Sequence, residues 1–177
     1  IMIDIGGGST EIVSFAGRAM QGRWSLPLGS LAMSKAHVAG LLPTREECRT
    51  IAAAVRSVLD EAPAVRNLRA RHMVGMGGVL SSASRMHALL HPEETPRLLP
   101  ADALPQMIAM FGSGRPLTEA DTAVLLRAAP DRLHNIVPGM IIASVLAETF
   151  AAADIRYSDS GVREGYIWKE IIGAEQR

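Results

Sequence analysis

The chain opens on Ile1-Met2-Ile3-Asp4-Ile5, a run whose alternating faces are both apolar except for one carboxylate. A strand that is apolar on both faces belongs in the middle of a sheet. It leads into Gly6-Gly7-Gly8-Ser9-Thr10, a turn that glycine makes inexpensive. Glu11-Ile12-Val13-Ser14-Phe15 resumes as a strand, Ala16-Gly17-Arg18 reads as a hairpin turn, and residues 19–28 as a third strand. The first thirty residues therefore predict an antiparallel meander. Helical periodicity takes over next. Thr44 with Glu47 is a capping-box signature, and Cys48, Ile51, Ala52, Val55, Val58 and Leu59 recur at the spacing of one buried helical stripe.

Residues 72–74 read as a short strand running into a second glycine cluster, Gly75-Met76-Gly77-Gly78, with a helix following through Leu90. Residues 91–101, with Pro92, Pro96 and Pro100, read as a loop. Asp102 is placed to cap a helix to Phe111, and Thr118 with Asp121 caps another through Ala128. A short helical turn over 131–136 precedes a helix headed by Pro138 and reaching about Ala152, apolar nearly all round and hence buried. Residues 155–158 form a last strand and 162–172 a terminal helix. No internal repeat is visible.

Composition narrows the classes. The 177 residues are 48% hydrophobic and 20% charged, ordinary for one globular domain and unlike a disordered chain. Lys+Arg and Asp+Glu are 18 each, so there is no basic excess for a dedicated nucleic-acid or membrane-surface binder. The longest apolar stretch, residues 136–153, is interrupted by Pro138, Gly139, Ser144, Glu148 and Thr149, which argues against a bilayer span. Cys48 is the only cysteine, so no intrachain disulfide is possible, and a soluble cytoplasmic protein is the expectation.

Candidate chemistry centres on the glycines. Six of the 16 lie in the two clusters, each directly after a strand, where backbone N–H groups make an anion cradle. No lysine follows Gly6–Gly8 as a nucleotide P-loop requires, and Glu11 and Leu80 stand where a dinucleotide fingerprint needs glycine. Asp4 is costly inside an apolar strand unless it meets a cation or donors. Two residues before the turn, it can aim a carboxylate at the mouth of the anion site, where Mg²⁺ or a nucleophilic water is held during phosphoryl transfer. His87 and His91 stand four apart without a third ligand. Arg66, Arg69 and Arg71 form a basic run that reads best as a solvated loop.

Asp4-Ile5-Gly6-Gly7-Gly8-Ser9-Thr10-Glu11 resembles the second phosphate loop of the exopolyphosphatase/guanosine pentaphosphate phosphatase (Ppx/GppA) family, within the superfamily of actin, sugar kinases and heat-shock chaperone ATPases. The resemblance extends in order along the chain. It takes in Ser25-Leu26-Pro27-Leu28-Gly29-Ser30, Gly75-Met76-Gly77-Gly78 with its serine-rich helix start, and Pro130-Asp131-Arg132 through Val137-Pro138-Gly139-Met140. It closes on Ser158-Asp159-Ser160-Gly161-Val162-Arg163-Glu164-Gly165, similar to the family's terminal signature.

The resemblance implies a ribonuclease-H-like α/β fold, a mixed five-stranded sheet flanked by helices on both faces. Residues 1–177 would be the second of two domains facing a cleft. The first domain, with its own phosphate loop and the general-base glutamate, is outside this chain. Implied roles are Asp4 and Glu11 as catalytic and Mg²⁺-holding carboxylates, and Gly6, Gly7, Gly8, Ser9 and Thr10 as holders of the terminal phosphate through N–H and hydroxyl donors. Gly77 and Gly78 would line the cleft farther along, with Arg132 a phosphate contact. The implied activity is Mg²⁺-assisted hydrolysis of polyphosphate or guanosine pentaphosphate, with the chain alone inactive and a homodimer a further expectation. Two alternatives stand beside it: a non-catalytic phosphate- or nucleotide-binding regulator of the same fold, and a sugar or acetate kinase branch. Glu11 also reads as merely solvent-facing, and Arg132 as a surface cation.

Overall fold

The computed structural model describes residues 1–94 and 97–161. Six strands form one mixed sheet: β1 (Met2–Ile5), β2 (Thr10–Ala16), β3 (Ala19–Leu26), β4 (His72–Met76), β5 (Leu98–Pro100) and β6 (Asp154–Tyr157), in the order β3-β2-β1-β4-β6-β5. The meander holds, with β1, β2 and β3 pairing antiparallel in turn. β1 pairs parallel with β4 and β4 with β6. The apolar opening run is thus a central strand, as its two-faced hydrophobicity requires.

The sheet has six strands where five were expected. The extra one is β5, three residues within the proline-rich segment read as a loop; it pairs antiparallel with β6 at the sheet edge. Pro100 is tolerated there because an edge strand has backbone positions that need no ladder donor.

The helices are α1 (Ser30–His37), α2 (Arg45–Asp60), α3 (Pro63–Arg66), α4 (Gly77–Leu90), α5 (Ala103–Phe111), α6 (Glu119–Ala128) and α7 (Ile136–Phe150), with a 3₁₀ turn at Pro130–Arg132. α2 begins with the expected capping box, Thr44 accepting from the Glu47 N–H while Glu47 accepts from the Thr44 N–H. Thr118 and Asp121 do the same for α6. Asp102 precedes α5 but makes no capping bond. α7 starts two residues before Pro138, which still lies in the first turn, where its missing N–H costs no helical bond. α1 was not expected from periodicity, and the basic run 66–71 begins inside α3. The terminal helix expected over 162–172 lies outside the described residues.

The core lies between the sheet face bearing Ile3, Ile5, Ile12, Met73 and Ile155 and the helices α4 and α7. α7 is buried along almost its whole length, from Ile136 to Phe150, as its all-round apolarity predicts. No described helix is long and apolar enough to cross a membrane.

Candidate functional site

β1 and β4 run parallel, with Asp4 paired to Met76, so their carboxyl ends reach the same edge of the sheet. From there the chain turns from β1 into β2 on one side, and passes from β4 into α4 on the other. Ligands of open α/β sheets bind in such a divergence. Both glycine clusters sit in it.

The first turn is closed by its own backbone, with the Gly6 N–H donating to Ser9 O at 2.9 Å. Its carbonyls are taken up by α1: Ser30 N–H donates to Gly6 O, and Leu31 and Ala32 N–H both donate to Gly7 O. Gly29 must be glycine, since a Cβ there would lie 2.2 Å from Gly7 O. The N–H groups of Gly7, Gly8 and Ser9 make no hydrogen bond among the described residues, and Gly7 and Gly8 are exposed. Carbonyls engaged behind and N–H groups left free are the pattern of an anion-binding concavity.

Asp4 and Glu11 are cross-strand partners, which places their Cβ atoms about 4.5–5.5 Å apart on one face. The Glu11 Oε1 accepts from Ser9 Oγ at 2.6 Å and from Ser25 Oγ at 2.9 Å, so the side chain is held rather than free in solvent. Asp4 is half-buried, and its side chain has neither hydrogen bond nor ion pair among the described residues. Burial first, and then repulsion from Glu11, push its carboxyl above the ordinary aspartate range. Two adjacent carboxylates, one lacking any donor, form a hard-oxygen pair that a cation would relieve. Mg²⁺ is typically held by one or two carboxylates completed by water and substrate phosphate, so Asp4 and Glu11 suit it. No larger cluster of acidic, histidine and cysteine side chains is present among the described residues.

The second glycine turn closes on the same point. Gly77 has φ +81, and a Cβ there would lie 2.2 Å from Asp4 Oδ1. At Gly78 a Cβ would lie 2.2 Å from Arg132 Nη2, so the guanidinium lies directly over the start of α4. The α4 N-terminus has no side-chain cap, which leaves its first N–H groups open. Asp4 with the first glycine turn, Gly77 with Gly78, and Arg132 are thereby brought together from three separate stretches of chain. Thr10 departs from its expected role: it is fully buried and its hydroxyl donates to Leu28 O, fastening the loop instead of facing a ligand. The Ser9 hydroxyl is likewise committed to Glu11, leaving its N–H open.

Sequence reading passed over three residues at this site. Ser25 orients Glu11, and Ser81 and Ser82 lie beside Gly78 in a cavity of about 170 Å³ under Arg132. A larger cavity, about 300 Å³, lies between α2, α5 and α7 and is lined by none of the expected site residues. Cys48 borders it, buried, with its thiol pushed up to about 11 by burial and by Glu47.

Comparison with known proteins gives the family and the fold. The chain is 27% identical over 170 residues to a Haemophilus influenzae protein provisionally described as an exopolyphosphatase, a match spanning 95% of this chain and 51% of that one. A crystal structure of the Aquifex aeolicus Ppx/GppA family member superposes with a TM-score of 0.78 at 21% identity, over 98% of this chain and 56% of that one. An exopolyphosphatase from Cytophaga hutchinsonii gives 0.76 at 17% identity, over 97% and 56%. The chain thus spans about half the length of these relatives. At such identities the two structures speak for the fold, the α/β architecture with its mixed open sheet. Residues 1–172 match the Ppx/GppA phosphatase family, and the chain belongs to it.

Proposed function

We propose that this chain is the second half of a phosphoanhydride hydrolase that removes the terminal phosphate from inorganic polyphosphate or guanosine pentaphosphate. The observation that carries the reading is the Asp4 carboxylate, unpartnered at the shared strand ends, with free N–H groups on one side and the α4 N-terminus on the other. Family membership and the exopolyphosphatase description of the Haemophilus relative support a phosphatase.

On this reading the N–H groups of Gly7, Gly8 and Ser9 receive oxygens of the terminal phosphoryl group, and Arg132 offsets charge farther along the chain. Asp4 and Glu11 would hold Mg²⁺, which when bound draws negative charge from the phosphate oxygens and favours in-line displacement. Water attacks the terminal phosphorus, the anhydride P–O bond breaks, and the shortened polyphosphate or guanosine tetraphosphate leaves. The water's proton passes to a base carried by a first domain, because Asp4 and Glu11 are engaged at the cation.

The test is phosphate release from each substrate, with Mg²⁺, by a full-length protein containing this chain. Release is expected, and no release from either substrate rejects the reading. Residues 1–177 alone should bind without appreciable turnover; substantial hydrolysis by them would show that the base lies within the chain.

A further inference from the structure

We propose that Ser81, Ser82 and Arg85 of α4, with Arg132, form a second phosphate subsite beside the terminal-phosphate cradle, one phosphoryl group wide. It would favour a linear phosphate chain over a nucleoside. Gly78, Ser81, Ser82 and Arg85 recur at i, i+3, i+4 and i+7, so they share one face of α4. That stripe runs about 10 Å from the helix start, at 1.5 Å per residue. It faces residues 128–132 across the cavity of about 170 Å³.

Among the described residues the polar side chains here lack partners. Ser82 is only 6% exposed, yet its hydroxyl makes no hydrogen bond to any described residue, and neither does that of Ser81. Helical serines commonly donate to the carbonyl four residues back; these two do not. Among the described residues Arg132 has no ion pair, and Arg85 has only a long 3.4 Å bond to Ala128 O. Two guanidinium groups and two hydroxyls around one small cavity, against the single rim carboxylate of Asp131, are a donor-rich set that suits an anion. Guanidinium geometry matches phosphate in particular.

The lining also limits what that anion is. Ala128, Ala129 and Pro130 supply its apolar part, with no aromatic ring among the described residues for a purine to stack on. The volume falls below the roughly 300–1,000 Å³ of pockets that enclose drug-sized organic ligands. A phosphoryl group fits this chemistry and a guanosine does not. Asp131, exposed at the rim, is the one opposing charge among the described lining residues. Gly78 belongs to both the cleft and this cavity, so the subsite continues the path along which a chain leaves the glycine turns.

The inference rests on the hydrolase reading only for the direction of the chain, and equilibrium binding separates the two. Calorimetric titration of the 177-residue chain with long-chain polyphosphate, orthophosphate and guanosine is the experiment. Long polyphosphate should bind, and Arg85→Gln and Ser82→Ala should each weaken it about tenfold. Orthophosphate, whose single phosphoryl group fills the glycine-turn cradle alone, should bind unchanged, and Asp131→Asn should tighten the long chain. Guanosine should show no binding. The subsite is overturned if the chain does not bind long polyphosphate, if both variants bind it like the unmodified chain, or if orthophosphate weakens equally. Circular dichroism of both variants distinguishes lost contact from lost fold, and a fold defect in one leaves the other to decide. Selective weakening without hydrolysis by the full-length protein would keep the subsite and remove the hydrolase reading; hydrolysis without selective weakening would do the reverse.

Discussion

Replacing Gly77 by alanine tests the junction of the two glycine turns. The substitution adds one methyl group and no charge, at a residue with φ +81. Holding an L-residue in a left-handed conformation costs about 1–2 kcal/mol. The new Cβ would also fall 2.2 Å from Asp4 Oδ1, so the carboxylate must swing away or the α4 start must shift. Together these lead us to expect a loss of about 2–3 kcal/mol, within the usual range for strained substitutions. For a chain of this size that is a fall in Tm of about 4–12 °C. Gly8→Ala is the internal control, because a Cβ there meets nothing within 4 Å and its φ is not left-handed. It should lie within about 0.5 kcal/mol of the parent, or slightly above it through a stiffer unfolded chain. Urea and thermal unfolding of both variants decide the matter. If Gly77→Ala unfolds at the same midpoint as Gly8→Ala, the close approach of Asp4 to α4 is refuted.

Asp4→Asn should raise stability while abolishing most phosphate release by the full-length protein. Because the folded-state pKa of Asp4 is raised by burial and by Glu11, ionising it opposes folding; the penalty is complete above that pKa and fades as pH falls through it. The gain in Tm should therefore be largest near neutral pH and shrink in acid, and a gain that does not vary with pH would reassign the cause. Thr10→Val should cost about 1–3 kcal/mol in urea unfolding, by leaving the Leu28 carbonyl without its buried donor. An unchanged midpoint would mean that the hydroxyl does not fasten the loop.

Much of the site was legible because its residues are chemically out of place. A carboxylate in a two-faced apolar strand and two glycine clusters after strands announce themselves without knowledge of the third dimension. The pairing of Asp4 with Glu11 follows from the tight turn between them and the two-residue period of strands. The same period contained a signal passed over: Thr10 shares parity with buried Ile12, so its hydroxyl points inward. α1 was less legible, since Ser30–His37 has only a weak apolar stripe and is held by tertiary bonds to the glycine turn and to the start of α7. β5 is three residues whose strand pairing is with β6 alone and whose Leu99 is held by the core, with a proline that argues locally against a strand. The Gly78, Ser81, Ser82, Arg85 stripe has helical spacing in plain view, but residues 128–132 opposite it lie far along the chain.

The carbonyls of Gly6 and Gly7 are anchored by the first N–H groups of α1, and Ser30 in turn accepts from Asn135 at the head of α7. A loop of three consecutive glycines would ordinarily sample many shapes and lose that freedom on meeting its ligand. Here the loss has already occurred during folding, by way of a helix that never touches the anion. On the proposed reading, affinity for phosphate is consequently a property of the core as much as of the loop. Loosening Asn135 or Ser30 should weaken binding from behind, with every donor group still in place.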